Sequence, residues 1–207
     1  MFAAKRLGKE LQKAKQSLPP GIDLVKADDF KEWQVDIRVL DSNPLYLNQT
    51  YRLSFIFTNN YPIEPPEVTF IFVPPSSSSS ATPTSNAQTQ SQSPSQTQTQ
   101  SQSQSQSQSQ TTTPDTGRSI PIHPHIYSNG IICLDLLGSA GWSPVQSVES
   151  VCMSLQSMLT GNSKNERPPG DEAFCQSMGV RGPNGWTRGE RGRGLRSVRF
   201  AYDDDTV

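Results

Sequence analysis

Three cysteines and two histidines carry most of the nucleophilic and metal-binding chemistry open to this 207-residue chain, and one segment holds three of the five. It runs His123-Pro124-His125-Ile126-Tyr127-Ser128-Asn129-Gly130-Ile131-Ile132-Cys133-Leu134-Asp135, a proline-fixed loop, an Asn-Gly turn and a cysteine beside apolar neighbours. A thiolate here would serve as a nucleophile or as a metal ligand. A zinc reading pairs His123, His125 and Cys133 with a fourth ligand, but the spacing fits none of the usual structural-zinc patterns. We expect no metal and no cofactor. A Cys/His hydrolase needs a positioned base and an orienting group, and two histidines in one loop do not establish that dyad. Cys152 falls on the apolar stripe of a later helix and reads as a core cysteine.

The elements around that segment follow from pattern. Leu7, Leu11, Ala14 and Leu18 form one stripe of an N-terminal amphipathic helix, with Lys5, Lys9 and Lys13 opposite and Arg6 close by. Pro19-Pro20-Gly21 stops it. Trp33, Val35, Ile37 and Val39 alternate with polar residues, as do Tyr51, Leu53, Phe55 and Phe57, then Val68, Phe70 and Phe72; Ile22 to Lys26 is a shorter first strand. Short polar turns between consecutive strands predict an antiparallel meander and an α+β fold. Val148, Val151, Cys152, Leu155 and Leu159 mark a central helix, capped either by Ser143 ahead of Pro144 or by Ser147. Arg167-Pro168-Pro169-Gly170-Asp171 is expected to end regular structure, leaving an irregular C-terminal segment with a flexible Arg/Gly-rich stretch at 181–199.

Composition narrows the function classes. Eighteen basic against 19 acidic residues give a net charge of −1, which speaks against a dedicated nucleic-acid or membrane-surface protein. Hydrophobic residues make up only 32%, and the deficit is local, since Ser76 to Thr113 is nearly all Ser, Gln and Thr without a charge. That tract cannot bury enough apolar surface to offset chain ordering, so residues 75–118 are expected to form a disordered insertion. The remainder, 1–74 and 119–207, suffices for one domain of about 150 residues. No run reaches the roughly 20 apolar residues of a membrane span, the first residues lack a signal-peptide stretch, and the cysteines are odd in number and unpatterned. Cytoplasm or nucleus is the expected location.

The order of these features has a family resemblance. A basic amphipathic helix, a β meander, Tyr61-Pro62-Ile63-Glu64-Pro65-Pro66, a His-Pro-x loop, Cys133, Trp142-Ser143-Pro144 and a helix resemble the ubiquitin-conjugating (UBC) fold across most of the chain outside the Ser/Gln tract and the Arg-Gly tail. The family usually has His-Pro-Asn, and His125 stands in the asparagine position. That departure, Arg-Pro-Pro-Gly-Asp, and the ending Phe200-Ala201-Tyr202-Asp203-Asp204-Asp205-Thr206 resemble the W-type branch, which attaches ubiquitin to protein N-termini.

The resemblance implies that Cys133 accepts ubiquitin as a thioester from the activating enzyme and yields it to an amine. It implies that Lys5, Arg6 and Lys9 meet the activating enzyme, and that Ile63, Pro144 and Val145 meet a RING or U-box ligase, with Ile63 replacing a more usual aromatic. It gives His125 an oxyanion or loop role, His123 a structural role in the loop, and Asp135 a place at the mouth of the site. Substrates are expected to be proteins with flexible N-termini, with neither membrane nor nucleic acid as partner. The rivals are a lysine-directed conjugating enzyme, a non-catalytic ubiquitin-binding variant of the fold, and an RNA-associated protein suggested by the Arg-Gly dipeptides, which lack aromatic interleaving.

Overall fold

The computed structural model describes residues 2–75 and 117–178, and the backbone of 181–182 and 185–186. Helix α1 spans Phe2–Gln16, and strands β1 (Ile22–Lys26), β2 (Glu32–Arg38), β3 (Thr50–Ile56) and β4 (Glu67–Ile71) follow it. A single 3₁₀ turn at Asp135–Leu137 precedes α2 (Val148–Thr160) and α3 (Asp171–Met178), and β5 (Arg181–Gly182) pairs with β6 (Gly185–Trp186). The first four strands form one antiparallel sheet in chain order, the expected meander.

Alternation decides which face of that sheet is the core. Leu24, Val35, Leu53 and Phe70 stand in register across the four strands, and Trp33, Phe55 and Val68 across three. Their row packs with Val151, Cys152, Leu155 and Leu159 of α2 and with Ala3 and Leu7 of α1. Full burial of each large side chain contributes about 1.5–3 kcal/mol, so this contiguous cluster is the main stabilising layer. Cys152 lies wholly inside it, and burial pushes its thiol well above the ordinary range. It packs as a small hydrophobe and is no nucleophile.

Several expectations need correction. Helix α1 ends at Gln16, so Leu18 closes the apolar stripe from outside the helix, still packed against the core. Strand β4 ends at Ile71, and Phe72, placed by alternation on the inner face, is 66% exposed. Asp36, assigned to the polar face, is buried because Arg52 and Arg118 both grip its carboxylate, at 2.6 and 3.0 Å. Ser147 caps α2, with Ser150 returning a bond to the Ser147 N–H; Ser143 does not. Regular structure does not stop at Asp171, which is instead the first residue of α3. Within the stretch expected to be flexible, Arg181–Gly182 is paired as β5.

The chain divides into one unit of residues 1–74 with 117–207 and another of 75–116. Val73 and Arg118 exchange backbone hydrogen bonds of 2.8 and 2.7 Å where the chain leaves and re-enters the first unit. The insertion was expected to run to residue 118, but Gly117 and Arg118 belong to the first unit, where Arg118 pairs with Val73. For 76–116 the expected disorder concerns residues outside the described part of the chain, where 187–199 and the aromatic-acidic ending also lie.

Candidate active site

A short hairpin presents Cys133. The Cys133 N–H donates to the His125 carbonyl at 2.8 Å and the Tyr127 N–H to the Ile131 carbonyl at 2.9 Å, so Ile126 and Ile132 face each other between these two bonds. Side chains alternate across such a pair. Ile126 and Ile132 point into the core cluster, and His125, Tyr127, Ile131 and Cys133 therefore share the opposite face. His125 stands directly across from Cys133 and is exposed, while Cys133 is 8% exposed at the floor of the site.

The turn is fixed to the sheet by glycine. Gly130 has φ +89°, in the left-handed region, and its carbonyl accepts the Phe70 N–H at 2.9 Å. A Cβ at this position would collide with the Phe70 carbonyl, so only glycine lets the loop lie this close to β4. Asn129 completes the turn by accepting the Ile131 N–H on Oδ1.

His123 orients the loop from beneath. It is 4% exposed, and its Nδ1 accepts the His125 N–H at 2.9 Å. Burial, together with the neighbouring His125, pushes its pKa down to about 4. The ring is therefore neutral at pH 7 with its proton on Nε2, which suits a structural acceptor and not a proton shuttle. Asp135 is exposed at the start of the 3₁₀ turn directly after Cys133.

Two groups whose contact with the loop no sequence pattern announced complete the site. Arg167, just before α3, donates to loop carbonyls at 120–121 and 126–127. Helix α3 then packs on the same loop: Phe174 stacks on Tyr127 at 3.9 Å, Asp171 Oδ1 accepts the Ser128 N–H at 2.7 Å, and Cys175 Sγ lies 3.2 Å from Ser128 Oγ. Burial raises the Tyr127 pKa, and the nearby Cys133, Asp171 and Cys175 add to the effect. Tyr127 thus stays a neutral phenol at the mouth of the site. The sequence showed no period linking residues 127 and 174, because a loop and a helix more than 40 residues apart meet only in the folded chain.

The remaining site residues lie apart from Cys133 along the chain. Lys5 and Lys9 are exposed on α1. Arg6 is not an open surface charge, since it pairs with Glu10 and donates to the Gln146 carbonyl at 2.7 Å. Ile63 is 70% exposed and Val145 is 83% exposed, at the tips of two loops that Trp142 joins by donating to the Pro62 carbonyl at 2.8 Å. Pro144 is exposed beside Val145. Among the described residues, no three His, Cys, Asp or Glu side chains converge where a metal ion would sit.

The family model described as ubiquitin-conjugating enzyme matches residues 6–75 and 111–180. The chain is 30% identical to a probable ubiquitin-conjugating enzyme E2 W of Dictyostelium discoideum, covering 99% of this chain and 97% of that protein. It is 32% identical to the ubiquitin-conjugating enzyme E2 W of Caenorhabditis elegans over 99% and 97% of the two chains. The crystal structure of ubiquitin-conjugating enzyme E2 UbcA1 from Agrocybe aegerita superposes with a TM-score of 0.60 at 33% identity, covering 88% of this chain and 96% of that one.

Proposed function

This chain belongs to the ubiquitin-conjugating enzyme family, and on that premise we propose that Cys133 carries ubiquitin as a thioester and passes it to the α-amino group of flexible protein N-termini. Enzymes of this family work with ubiquitin, an activating enzyme and ligases. The observation that carries the amine assignment is the exposed imidazole of His125 facing outward directly across from Cys133.

In the first step the Cys133 sulfur attacks the acyl carbon of the activating enzyme's thioester. A C–S bond forms, another breaks, and the activating enzyme's thiolate leaves. Thiol for thiol is a near-balanced exchange, so no strong base is needed beside Cys133. His123, held neutral as a hydrogen-bond acceptor, offers none. In the second step an amine nitrogen attacks the acyl carbon, the Cys133 thiolate leaves, and the nitrogen loses its extra proton to water.

The second step selects the amine. An α-amine has a pKa of about 7.7–8.0 and lysine about 10.4, so at pH 7.4 roughly a quarter of α-amines are neutral against about a thousandth of lysines. That difference alone discriminates towards the α-amine unless a site supplies groups that lower the pKa of an incoming lysine. His125 in the asparagine position and the likeness to E2 W proteins support the same choice.

The surfaces are assigned in the same way. Lys5 and Lys9 are exposed for the activating enzyme, whereas Arg6 supports the fold behind them. Ile63, Pro144 and Val145 form the apolar patch for a RING or U-box ligase. The deciding experiment follows thioester decay with free lysine, with a peptide bearing a free N-terminus, and with its N-acetylated twin. Fast decay is expected only with the unblocked peptide. Equal decay with the acetylated twin, or rapid discharge onto lysine, would overturn the N-terminal reading in favour of a lysine-directed enzyme.

A further inference from the structure

The segment between α2 and α3 delivers one cation to the back of the active-site loop. Arg167 Nη1 donates to the carbonyls of Pro121 at 2.7 Å, Ile126 at 2.9 Å and Tyr127 at 3.5 Å, and Nη2 donates to Ile120 at 3.2 Å. Carbonyls from the segment entering the loop and from the loop itself therefore converge on a single guanidinium. The approach of that segment is itself fixed. Asn43 Nδ2 holds the carbonyls of Leu159, Thr160 and Asn162, and the Tyr46 hydroxyl, bonded to Asn162, donates to the Ile122 carbonyl at 2.7 Å.

The hairpin ladder explains why a donor is needed at this place. Bonds at 125/133 and 127/131 make Ile126 and Ile132 the pair without mutual hydrogen bonds, so the Ile126 carbonyl points out of the ladder. Ile126 is fully buried, and a buried carbonyl without a donor is costly. Arg167 supplies that donor. The planar fork of a guanidinium reaches several oxygens at once, which a lysine ammonium on its flexible stem does not reproduce.

The neighbouring residue leads to the nucleophile. The Cys133 N–H rests on the His125 carbonyl, and the next carbonyl along, that of Ile126, rests on Arg167. A change in the tilt of the 126 peptide would shift the oxygen that holds Cys133. We propose that Arg167 is a positioning residue of the transfer reaction: its guanidinium fixes the loop backbone from behind and thereby sets the placement of Cys133 and of the outward-facing His125. This rests on Cys133 being the thioester nucleophile. Neither Arg167 nor the carbonyls it gathers need touch ubiquitin or the acceptor.

The test compares wild type with Arg167→Lys, which keeps the charge, and Arg167→Met, which keeps much of the length. Steady-state charging by the activating enzyme and ATP gives kcat and KM, and amide hydrogen exchange reads the loop separately from the sheet. For Arg167→Lys we expect kcat to fall about tenfold, as a misplaced nucleophile would cause, with KM for the conjugating enzyme within twofold of wild type. Exchange should rise at Ile126 to Cys133 while the amides of β2 and β3 keep their protection. Unchanged kcat in both variants would overturn the proposal. So would a loss accompanied by faster exchange throughout β2 and β3, which would mark a purely structural residue. If wild type itself formed no reductant-sensitive adduct, or Cys133→Ser retained one, the nucleophile assignment would fail instead, and the exchange measurement would still report whether Arg167 orders the loop.

Discussion

The Glu10 carboxylate of α1 accepts the backbone N–H of Val148 at 2.9 Å, so the N-terminal helix caps the first turn of α2 across 138 residues of chain. The same carboxylate receives the Tyr61 hydroxyl at 2.7 Å and the Arg6 guanidinium, and Arg6 in turn holds the Gln146 carbonyl. One acidic side chain thus joins α1, the loop that carries Ile63 and the loop that carries Val145. Its negative charge also suits the positive end of the α2 dipole.

Removing Glu10 should be costly for a surface-facing helix. In Glu10→Ala the Val148 N–H and the Tyr61 hydroxyl lose their acceptor and Arg6 loses its counter-charge, so we expect a destabilisation of about 3 kcal/mol in urea unfolding. Glu10→Gln, which keeps an acceptor oxygen, should lose about half of that. Ligase-stimulated discharge should fall more than unstimulated discharge, because the two exposed loop tips are no longer held together. A change below about 0.5 kcal/mol in Glu10→Ala would show that the network is not cooperative.

Cys133 is separated from the other thiols by its position. Cys152 is sealed in the core, and Cys175 sits on α3 against Ser128. Cys133→Ser should abolish the reductant-sensitive ubiquitin adduct and leave at most a reductant-resistant ester, whereas Cys175→Ala should still charge. The readout is a gel with and without thiol reductant. Loss of charging in Cys175→Ala with a folded domain would mean that α3 participates directly in thioester formation.

Stability should report the buried histidine as acid is added. His123 has a folded pKa of about 4 against about 6.5 for a free side chain. Between those values the unfolded chain binds the proton and the folded chain does not, so stability rises with pH through this window. The contribution is fully present above about pH 6.5 and is lost as pH falls through about 4, for a total of about 3 kcal/mol. Urea midpoints measured from pH 7 to pH 4 should show a decline that His123→Gln, an uncharged replacement, largely removes. An equal slope in both proteins would assign the acid sensitivity to other groups.

What the sequence disclosed and what it withheld divide along the range of the interactions. Alternation at Val35, Leu53 and Phe70 has a period of two, so the sheet and its inner face were legible locally. The Asn129-Gly130 turn and the cysteine after it were legible for the same reason, although only the fold shows that Gly130 is required by the closeness of Phe70. Arg167 and Phe174 carried no such signal, because their partners lie 40 or more residues away in a loop without periodicity. Helix α3 was hidden by the Pro-Pro-Gly that precedes it: the turn residues were read as an end of structure, whereas they end one element and open another. Asp36 fitted the polar alternation and was misplaced because two arginines from outside its strand cover it.

The excursion between β4 and the active-site loop leaves and re-enters the domain at one pair of residues. Val73 and Arg118 exchange both backbone hydrogen bonds, and Arg118 also bonds Asp36, so the two ends are tied to each other and to the sheet without any residue of the tract between them. Joining Pro74 directly to Asp115 leaves Pro74, Asp115, Thr116 and Gly117 between the paired residues, a loop length common for a hairpin. Gly117 already has φ +73°, the conformation such a turn calls for. Closing four residues in place of 44 lowers the entropic cost of closure by about 2 kcal/mol for a free chain. The shortened protein is therefore expected to unfold at an equal or higher urea concentration, with charging of Cys133 close to that of the full chain. Thermal and urea unfolding of the two proteins, together with a charging time course, test this. A loss of more than about 1 kcal/mol would mean that residues 75–114 contribute contacts to the domain, and a charging defect without loss of stability would assign the tract a role at the mouth of the site.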